Sequence, residues 1–448
     1  MTDSPLSPES ILSKLLDTCT AAGATGADAS YGRSDGVSVE VREGKLEGIE
    51  RSESQGVALR CFFGQRQAAV SGSDVSEDGL RTLAERCVAM AKVVPEDPYC
   101  GLAPEAELAK ELPEIDVSGD GEIAADILER DALEAEAAAL AVPGVKQVSS
   151  CGNGWSTSAR WVAATNGFSA HRESGTTGLG LAAVAEKDGA MERDYESRSV
   201  RRLSDRPDAQ SIGQIAGERA ARRLGPRKIK TQTGAVIYDR RVAGSLIGAF
   251  LSAISGPSVA RGVSFLKDRL GEKVFADGIQ LIDDPFRARG MGSKAHDGEG
   301  RPVASTHLIE DGVLTRWLLN GASAKQLGLD PNGHASGGFG SPPGVGVSNA
   351  YIQAGAKNPS ELMAEVGKGL LVADMFGPSI NPNTGDYSVG VAGFWFENGE
   401  IQHPVSEVTI AGDLPSMFAR LVPASDLEFR GTRDAPSILI EDMSIAGE

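Results

Sequence analysis

Residues Asp239–Gly256 (DRRVAGSLIGAFLSAISG) constrain the architecture more than any other stretch of the chain. Ala243, Leu246, Ile247, Phe250 and Ile254 recur at three- and four-residue spacing, which puts them on one face of an α-helix. Asp239 is placed to cap its N-terminus by accepting from the first free backbone N–H groups. Ser255-Gly256 offers a stop, because glycine readily takes the left-handed conformation that ends many helices. Gly244, Gly248, Ala249 and Ala253 are small, so another backbone can approach closely. Such a helix is buried, and the rest of the chain must supply its surroundings. From Val242 to Gly256 it carries no group able to hold a metal ion or move a proton.

The chain before this helix reads as α/β. Ser7–Ala22 and Glu77–Val94 have helical periodicity. Between them Ala27–Arg33, Val37–Arg42, Gly48–Ser52 and Gly56–Phe63 alternate apolar and polar residues and are punctuated by glycine, as an antiparallel meander is. Glu122–Val142 is a further helix, stopped by Pro143-Gly144. Asn166-Gly167 and Asp188-Gly189 are hairpin turns, and a helix carrying Ile212, Ile215, Ala216, Ala220 and Leu224 closes at Gly225-Pro226. The order helix, strands, helix therefore occurs twice, as in a weak internal duplication.

After Lys230 the character changes to short β-like runs at Ala235–Tyr238, Gly278–Ile282, Ala304–Ile309, Val313–Leu319, Ala350–Ile352, Gly390–Phe396, Glu407–Ala411 and Ser437–Ile440. Asp311-Gly312 and Asn398-Gly399 make hairpin turns. Short helices fit Ala322–Leu327 and, capped by Ser360, Glu361–Lys368. Asp330–Asn349 has no period and much glycine; it reads as a long loop, and long ordered loops are often functional or mobile. The expected class is α+β: an N-terminal α/β domain over 1–228, with antiparallel strands and flanking helices, and a β-rich C-terminal domain over 229–448 built around the one buried helix.

With 41% apolar and 24% charged residues, the 448-residue chain is globular, with a sizeable core. Its net charge of −18 repels nucleic acid on average, which argues against DNA binding. A basic run between Arg198 and Lys230 reads as a solvated helix face and linker. No apolar run approaches the roughly 20 residues that span a bilayer, and MTDSPLSPES lacks the basic start and apolar core of a signal peptide. The five cysteines (Cys19, Cys61, Cys87, Cys100, Cys151) form no C-x-x-C pair and read as reduced, mostly buried thiols of a cytoplasmic protein.

Local catalytic patterns are missing. No two of His171, His296, His307, His334 and His403 lie three or four residues apart, so no helix presents a histidine pair to zinc. There is no G-x-S-x-G elbow, and no cysteine in the second half stands beside His296–His403. Gly337–Gly340 does not follow a strand and open a helix, so it is no phosphate cradle. Asp283-Asp284, before Pro285, read as turn residues. His334, in the glycine-rich loop, is the histidine with most claim to a role.

Five segments nonetheless carry a resemblance. They are Ser252–Gly271 (SAISGPSVARGVSFLKDRLG), Leu308–Asn320 (LIEDGVLTRWLLN), Ser379–Ile401 (SINPNTGDYSVGVAGFWFENGEI), Pro404–Leu414 (PVSEVTIAGDL) and Ala435–Gly447 (APSILIEDMSIAG). Together they resemble the TldD/PmbA family over nearly the whole chain, and the PmbA (TldE) branch most. That resemblance implies a cytoplasmic dimer enclosing a cleft for unfolded peptide, a role in proteolysis, and the older description as a modulator of DNA gyrase. It also implies where zinc would be held in the TldD branch: a His-Glu-x-x-x-His sequence on the helix and a cysteine before the ENG turn. Here the helix offers Val242–Ile254, and the position counted back from Glu397-Asn398-Gly399 is Gly390 or a neighbour. No catalytic or metal-binding residue carries over.

The resemblance thus points to a non-catalytic subunit of a two-chain zinc peptidase. No cofactor is expected on this chain, and zinc is expected on a TldD-type sister chain. Ser255, Gly256, Arg261, Ser264 and Phe265, with Asn381, Gly385 and Gly390, are the residues expected to wall the peptide cleft, by position and not by chemistry. Two other readings stay open: a homodimeric peptide-binding adaptor without hydrolysis, and an autonomous hydrolase with unrecognised catalytic residues.

Overall fold

The computed structural model describes residues 6–448. The signal-peptide reading of the first ten residues therefore falls partly outside the described residues. In the first half, α1 (Pro8–Ala21) leads into β1 (Gly26–Arg42), β2 (Lys45–Phe63), β3 (Arg66–Gly72) and α2 (Glu77–Val93). Then α3 (Ala125–Leu140) leads into β4 (Val145–Ala164), β5 (Ser169–Lys187), β6 (Ala190–Val200) and α4 (Ala209–Arg222). The two units join edge to edge in one antiparallel sheet of order β3-β2-β1-β4-β5-β6, so the doubled element order read from the sequence is realised as a sheet of two matching halves. Strands expected as short pairs are single long ribbons: Gly36 lies within β1, opposite Ser52 and Ser156, and does not break it. Each helix pair covers one half of the sheet, with α1 and α2 burying Leu15, Leu59 and Leu80, and α3 and α4 burying Leu128, Leu179 and Ile212.

The second half begins with β7 (Gln232–Tyr238), α5 (Arg240–Ala253) and the short α6 (Gly256–Ala260). A small sheet follows, from β8 (Leu281–Asp283), β9 (Thr306–Glu310) and β10 (Val313–Leu314); α7 (Gly321–Leu327), the tiny hairpin of β11 (Ala335–Ser336) and β12 (Gly344–Val345), and β13 (Ala350–Ile352) come next. The chain ends through α8 (Pro359–Val366), β14 (Lys368–Ile380), β15 (Asp386–Glu397), β16 (Glu400–Asp413), α9 (Leu414–Ala419), β17 (Val422–Pro423), β18 (Arg433–Asp434) and β19 (Ile438–Ala446). The order β16-β15-β14-β7-β19 is closed by pairing of β19 with β16, which makes a barrel. The α+β class and the buried helix are as read from the sequence.

Asp239 caps α5, its side chain accepting from Arg241 N at 2.9 Å, and the five expected apolar positions are buried. The expected glycine stop is not how the helix ends. Ile254 is the C-cap, and Gly256 instead opens α6. A Cβ on Gly256 would lie 2.7 Å from Leu318 O, so glycine is needed there for space, not for a left-handed turn. The α8 cap also differs: Asn358, not Ser360, accepts from Glu361 N, while Glu361 returns a bond to Asn358 N, because Pro359 already occupies the first helical position. Lys368 belongs to β14.

Three other readings change. Arg201 is buried and donates to Gly175 O at 3.1 Å and Met291 O at 2.8 Å. Arg206 pairs with Asp131 at 2.5 Å, and Arg223 with Asp374 at 3.2 Å. This part of the basic run is an ion-paired seam and not a solvated face, because Asp131, Asp194 and Glu196 lie beside it; Arg222, Arg227, Lys228 and Lys230 do stay exposed. Asp284 makes a turn, accepting from Phe286 N, but Asp283 is buried, accepting from Ser348 N at 2.8 Å and facing His334 Nε2 at 3.4 Å. The Asp330–Asn349 segment is a docked clamp: Gly338 O accepts from Arg160, Phe339 packs on Phe168, and Gly340 N donates to Asp28 Oδ1 at 2.6 Å. Four of the five cysteines are buried and none is bridged. No helix among the described residues is long and apolar enough to cross a membrane.

Candidate functional site

The sequence pattern does not mark β14 as a strand, yet β14 shapes the surface beside α5. Its backbone pairs with β15 from Lys368 to Ile380, but with β7 only from Gly369 to Val372. At Tyr238 β7 ends and the chain turns into α5, with Asp239 N donating to Val372 O at 2.9 Å. From Ala373 onward, the side of β14 away from β15 has no strand partner among the described residues. Phe376 is 53% exposed there, and Ile380 is 38% exposed. An unpaired, partly apolar strand edge is a template for another extended chain.

The first turns of α5 lie beside this edge. Arg241 donates to Ala373 O at 3.4 Å, and Ser245 Oγ lies 3.5 Å from Met375 Sδ. Arg241 is fixed in turn by Asp194 at 2.8 Å. Burial alone pushes the Asp194 carboxyl up, but Arg241, the Tyr195 N–H and Arg223 outweigh it and hold it below its ordinary value. The solvent-facing side of α5 carries Ser245 and Ser252, whose hydroxyls donate to Val242 O and Gly248 O within the helix. It is a small, uncharged face along which a backbone can pass closely.

The residues expected as cleft walls fall into two groups. Phe265 N donates to Pro382 O at 2.8 Å, and Gly385 lies against the Phe265 ring and Pro415, so the Asn381–Gly385 hairpin tip docks onto the loop after α6. Gly390 pairs opposite Phe376, on the other side of β14 from the free edge. Arg261 is exposed at the end of α6. Ser255 and Gly256 instead pack on Leu318, and the buried Ser264 hydroxyl donates to Ala253 O at 2.6 Å. Those three make contacts within the C-terminal half.

A zinc ion needs several N, S or O donors in one place. Around α5 and the free edge the donors are two serine hydroxyls, the Met375 thioether and three carboxylates already engaged: Asp239 by the Arg241 N–H, Asp194 by Arg241 and Asp374 by Arg223. Gly390 adds none. The residues do not fit zinc, and among the described residues no group of three His, Cys, Asp or Glu side chains is placed to hold a metal.

Family models match almost end to end. PmbA/TldA metallopeptidase domain 1 covers residues 27–91, the central domain 114–224, and the C-terminal domain 231–447. Metalloprotease PmbA of Escherichia coli O157:H7 is 33% identical over 431 residues, 94% of this chain and 92% of that one. The chain belongs to the PmbA/TldA metallopeptidase family. A PmbA homologue of Haemophilus influenzae is 31% identical over 96% of this chain and 94% of its own length. Two solved structures share the family fold. One, from Bacteroides thetaiotaomicron and carrying the name of a DNA gyrase modulator, has a TM-score of 0.91 at 24% identity and covers 98% of this chain and 99% of its own. TldE from Thermococcus kodakarensis has a TM-score of 0.85 at 21% identity, over 97% and 99%. The PmbA/TldA fold thus places α5 and the β14 edge side by side in a chain whose relatives are named as metalloproteases.

Proposed function

We propose that this chain is the non-catalytic, PmbA/TldE-type subunit of a cytoplasmic two-chain peptidase for unfolded peptides. A TldD-type sister chain supplies the zinc. This chain supplies part of the cleft. The observation that carries the reading is the unpaired edge of β14 from Ala373 to Ile380, lying beside a metal-ligand-free α5. A strand edge binds extended peptide through backbone hydrogen bonds, whatever its sequence, and folded proteins cannot offer it a free strand. The small face of α5 at Ser245 keeps the approach open, and Phe376 gives apolar contact to alternate side chains.

The test is affinity purification of the tagged chain from its native host, with co-purifying chains and zinc counted together. The expected result is a stoichiometric sister chain bearing the His-Glu-x-x-x-His helix, one zinc per pair, and peptide cleavage lost on chelation. A metal-free homodimer that binds peptide would overturn the subunit reading in favour of an adaptor. Cleavage by this chain alone, surviving chelation, would overturn the non-catalytic role.

A further inference from the structure

Far from α5 in sequence, a cavity of about 940 Å³ lies between the N-terminal sheet and the 291–298 and 335–347 loops. Arg160 on β4 and Arg172 on β5 are direct cross-strand partners. Directly opposed residues project from the same face about 5 Å apart at Cβ, and like charges so placed repel. Both line the cavity, and Lys294 lines it from the loop side. Arg160 donates to Gly338 O at 3.1 Å, but among the described residues none of the three cations has a carboxylate oxygen within ion-pair distance.

The carboxylates along the cavity act on these cations only from beyond ion-pair distance. Asp116 is held by Arg202 at 2.8 Å and Arg289 at 3.2 Å. Glu173 faces His171 at 3.6 Å, and Asp297 accepts from the backbone of Glu299 and Arg301. Glu114 is exposed on the 112–117 segment. Burial, reinforced by Arg172, lowers the Lys294 ammonium below its ordinary value even though Asp283 and Asp297 pull the other way. In a chain of net charge −18, three cations that line one cavity and form no ion pair with a carboxylate among the described residues are an arrangement that an anion would complete.

We propose that this cavity is a binding site for a small organic oxyanion, a carboxylate or phosphate group held by Arg160, Arg172 and Lys294. Val162, Ala170 and Phe339 line the same space and suit an apolar body attached to the anionic group. Arginine's planar fork donates to two oxygens at once, and Lys294 adds a point charge from the opposite element. The site is separate from the β14 edge and does not rest on the two-chain reading, since binding is measured on this chain alone.

The experiment is calorimetric titration of the full chain with N-acetyl-leucine, N-acetyl-leucinamide and inorganic phosphate, repeated on Arg172→Gln and Lys294→Gln. Saturable binding of N-acetyl-leucine but not its amide identifies a carboxylate, and binding of phosphate alone identifies a phosphoryl group; either supports the site. Each substitution should weaken the bound probe by about tenfold, the loss of one charge-assisted contact. Without ligand, Arg172→Gln should melt no lower than the parent chain, because it removes a repulsion. No saturable binding of either anion in the millimolar range would overturn the proposal, as would unchanged affinity in both variants or a clearly lower melting temperature of unliganded Arg172→Gln.

Discussion

Asp28 and Arg60 oppose each other on β1 and β2, only 1% and 3% exposed, and Gly340 N closes the pair from the C-terminal half. Removing one partner leaves a buried, uncompensated charge. Asp28→Asn should therefore cost about 3–5 kcal/mol in urea unfolding at neutral pH. Asp28→Leu combined with Arg60→Met should cost much less, since both charges go together; equal losses would show that the pair itself is not what matters. His296 lies 4.9 Å from the Phe168 ring and is bonded through Nδ1 to Asp297 O. Burial pushes its imidazole below the ordinary value. The folded chain then holds His296 neutral at pH values where the unfolded chain protonates it. Its contribution is intact above the unfolded value near 6.5 and falls as pH drops through that value toward the lower folded one. His296→Gln should flatten the loss of stability below about pH 6.5, measured as melting temperature against pH. A variant that tracks the parent across that window would remove His296 as the cause.

At the scale of elements, α5 shows which small residues are spacers. A Cβ on Gly244 would sit 2.7 Å from Arg433 O, a backbone atom of β18 that cannot yield cheaply. A Cβ on Gly248 would meet only the Arg433 guanidinium, at 3.2 Å, which can swing aside. Gly244→Ala should cost about 1–3 kcal/mol by overpacking, whereas Gly248→Ala should be near neutral or gain up to about 1 kcal/mol from helix propensity; equal effects in thermal unfolding would refute the distinction. This helix was legible because period, cap and small residues agreed. β14 was not, because Gly377-Pro378 argues against a strand interior and two bulges, after Val372 and after Phe376, break the alternation. The long ribbon β1 looks like two strands in the sequence because Gly36 resembles punctuation when the partner strand is unseen. Asp283 illustrates the same limit: a carboxylate before proline signals a turn, and only the fold brings His334 to it. Of the expected cleft residues, Phe265 lies against Gly385, and the Ser264 hydroxyl donates to Ala253 O, contacts that only the folded chain reveals.

Across the whole molecule, the N-terminal sheet, the glycine-rich clamp and the barrel are locked by buried polar contacts. The β14 edge stands apart as backbone left unpaired where β7 turns away into α5. Recognition through such an edge has a signature that side-chain pockets lack. Its energy lies in peptide N–H and C=O groups, so it should survive scrambling of the peptide sequence and fail on backbone methylation. With the complete assembly, an unfolded peptide N-methylated at alternate positions should bind about tenfold more weakly than its parent, while a scrambled peptide of equal composition stays within about threefold. Hydrogen exchange of residues 374–380, Pro378 excepted, should slow when the parent peptide is added, because the edge amides gain partners. Protection confined to the cavity of Arg160 and Arg172, with the edge unchanged, would place peptide there instead and leave β14 as a surface for the sister chain. Protection at both would mean that one peptide spans them.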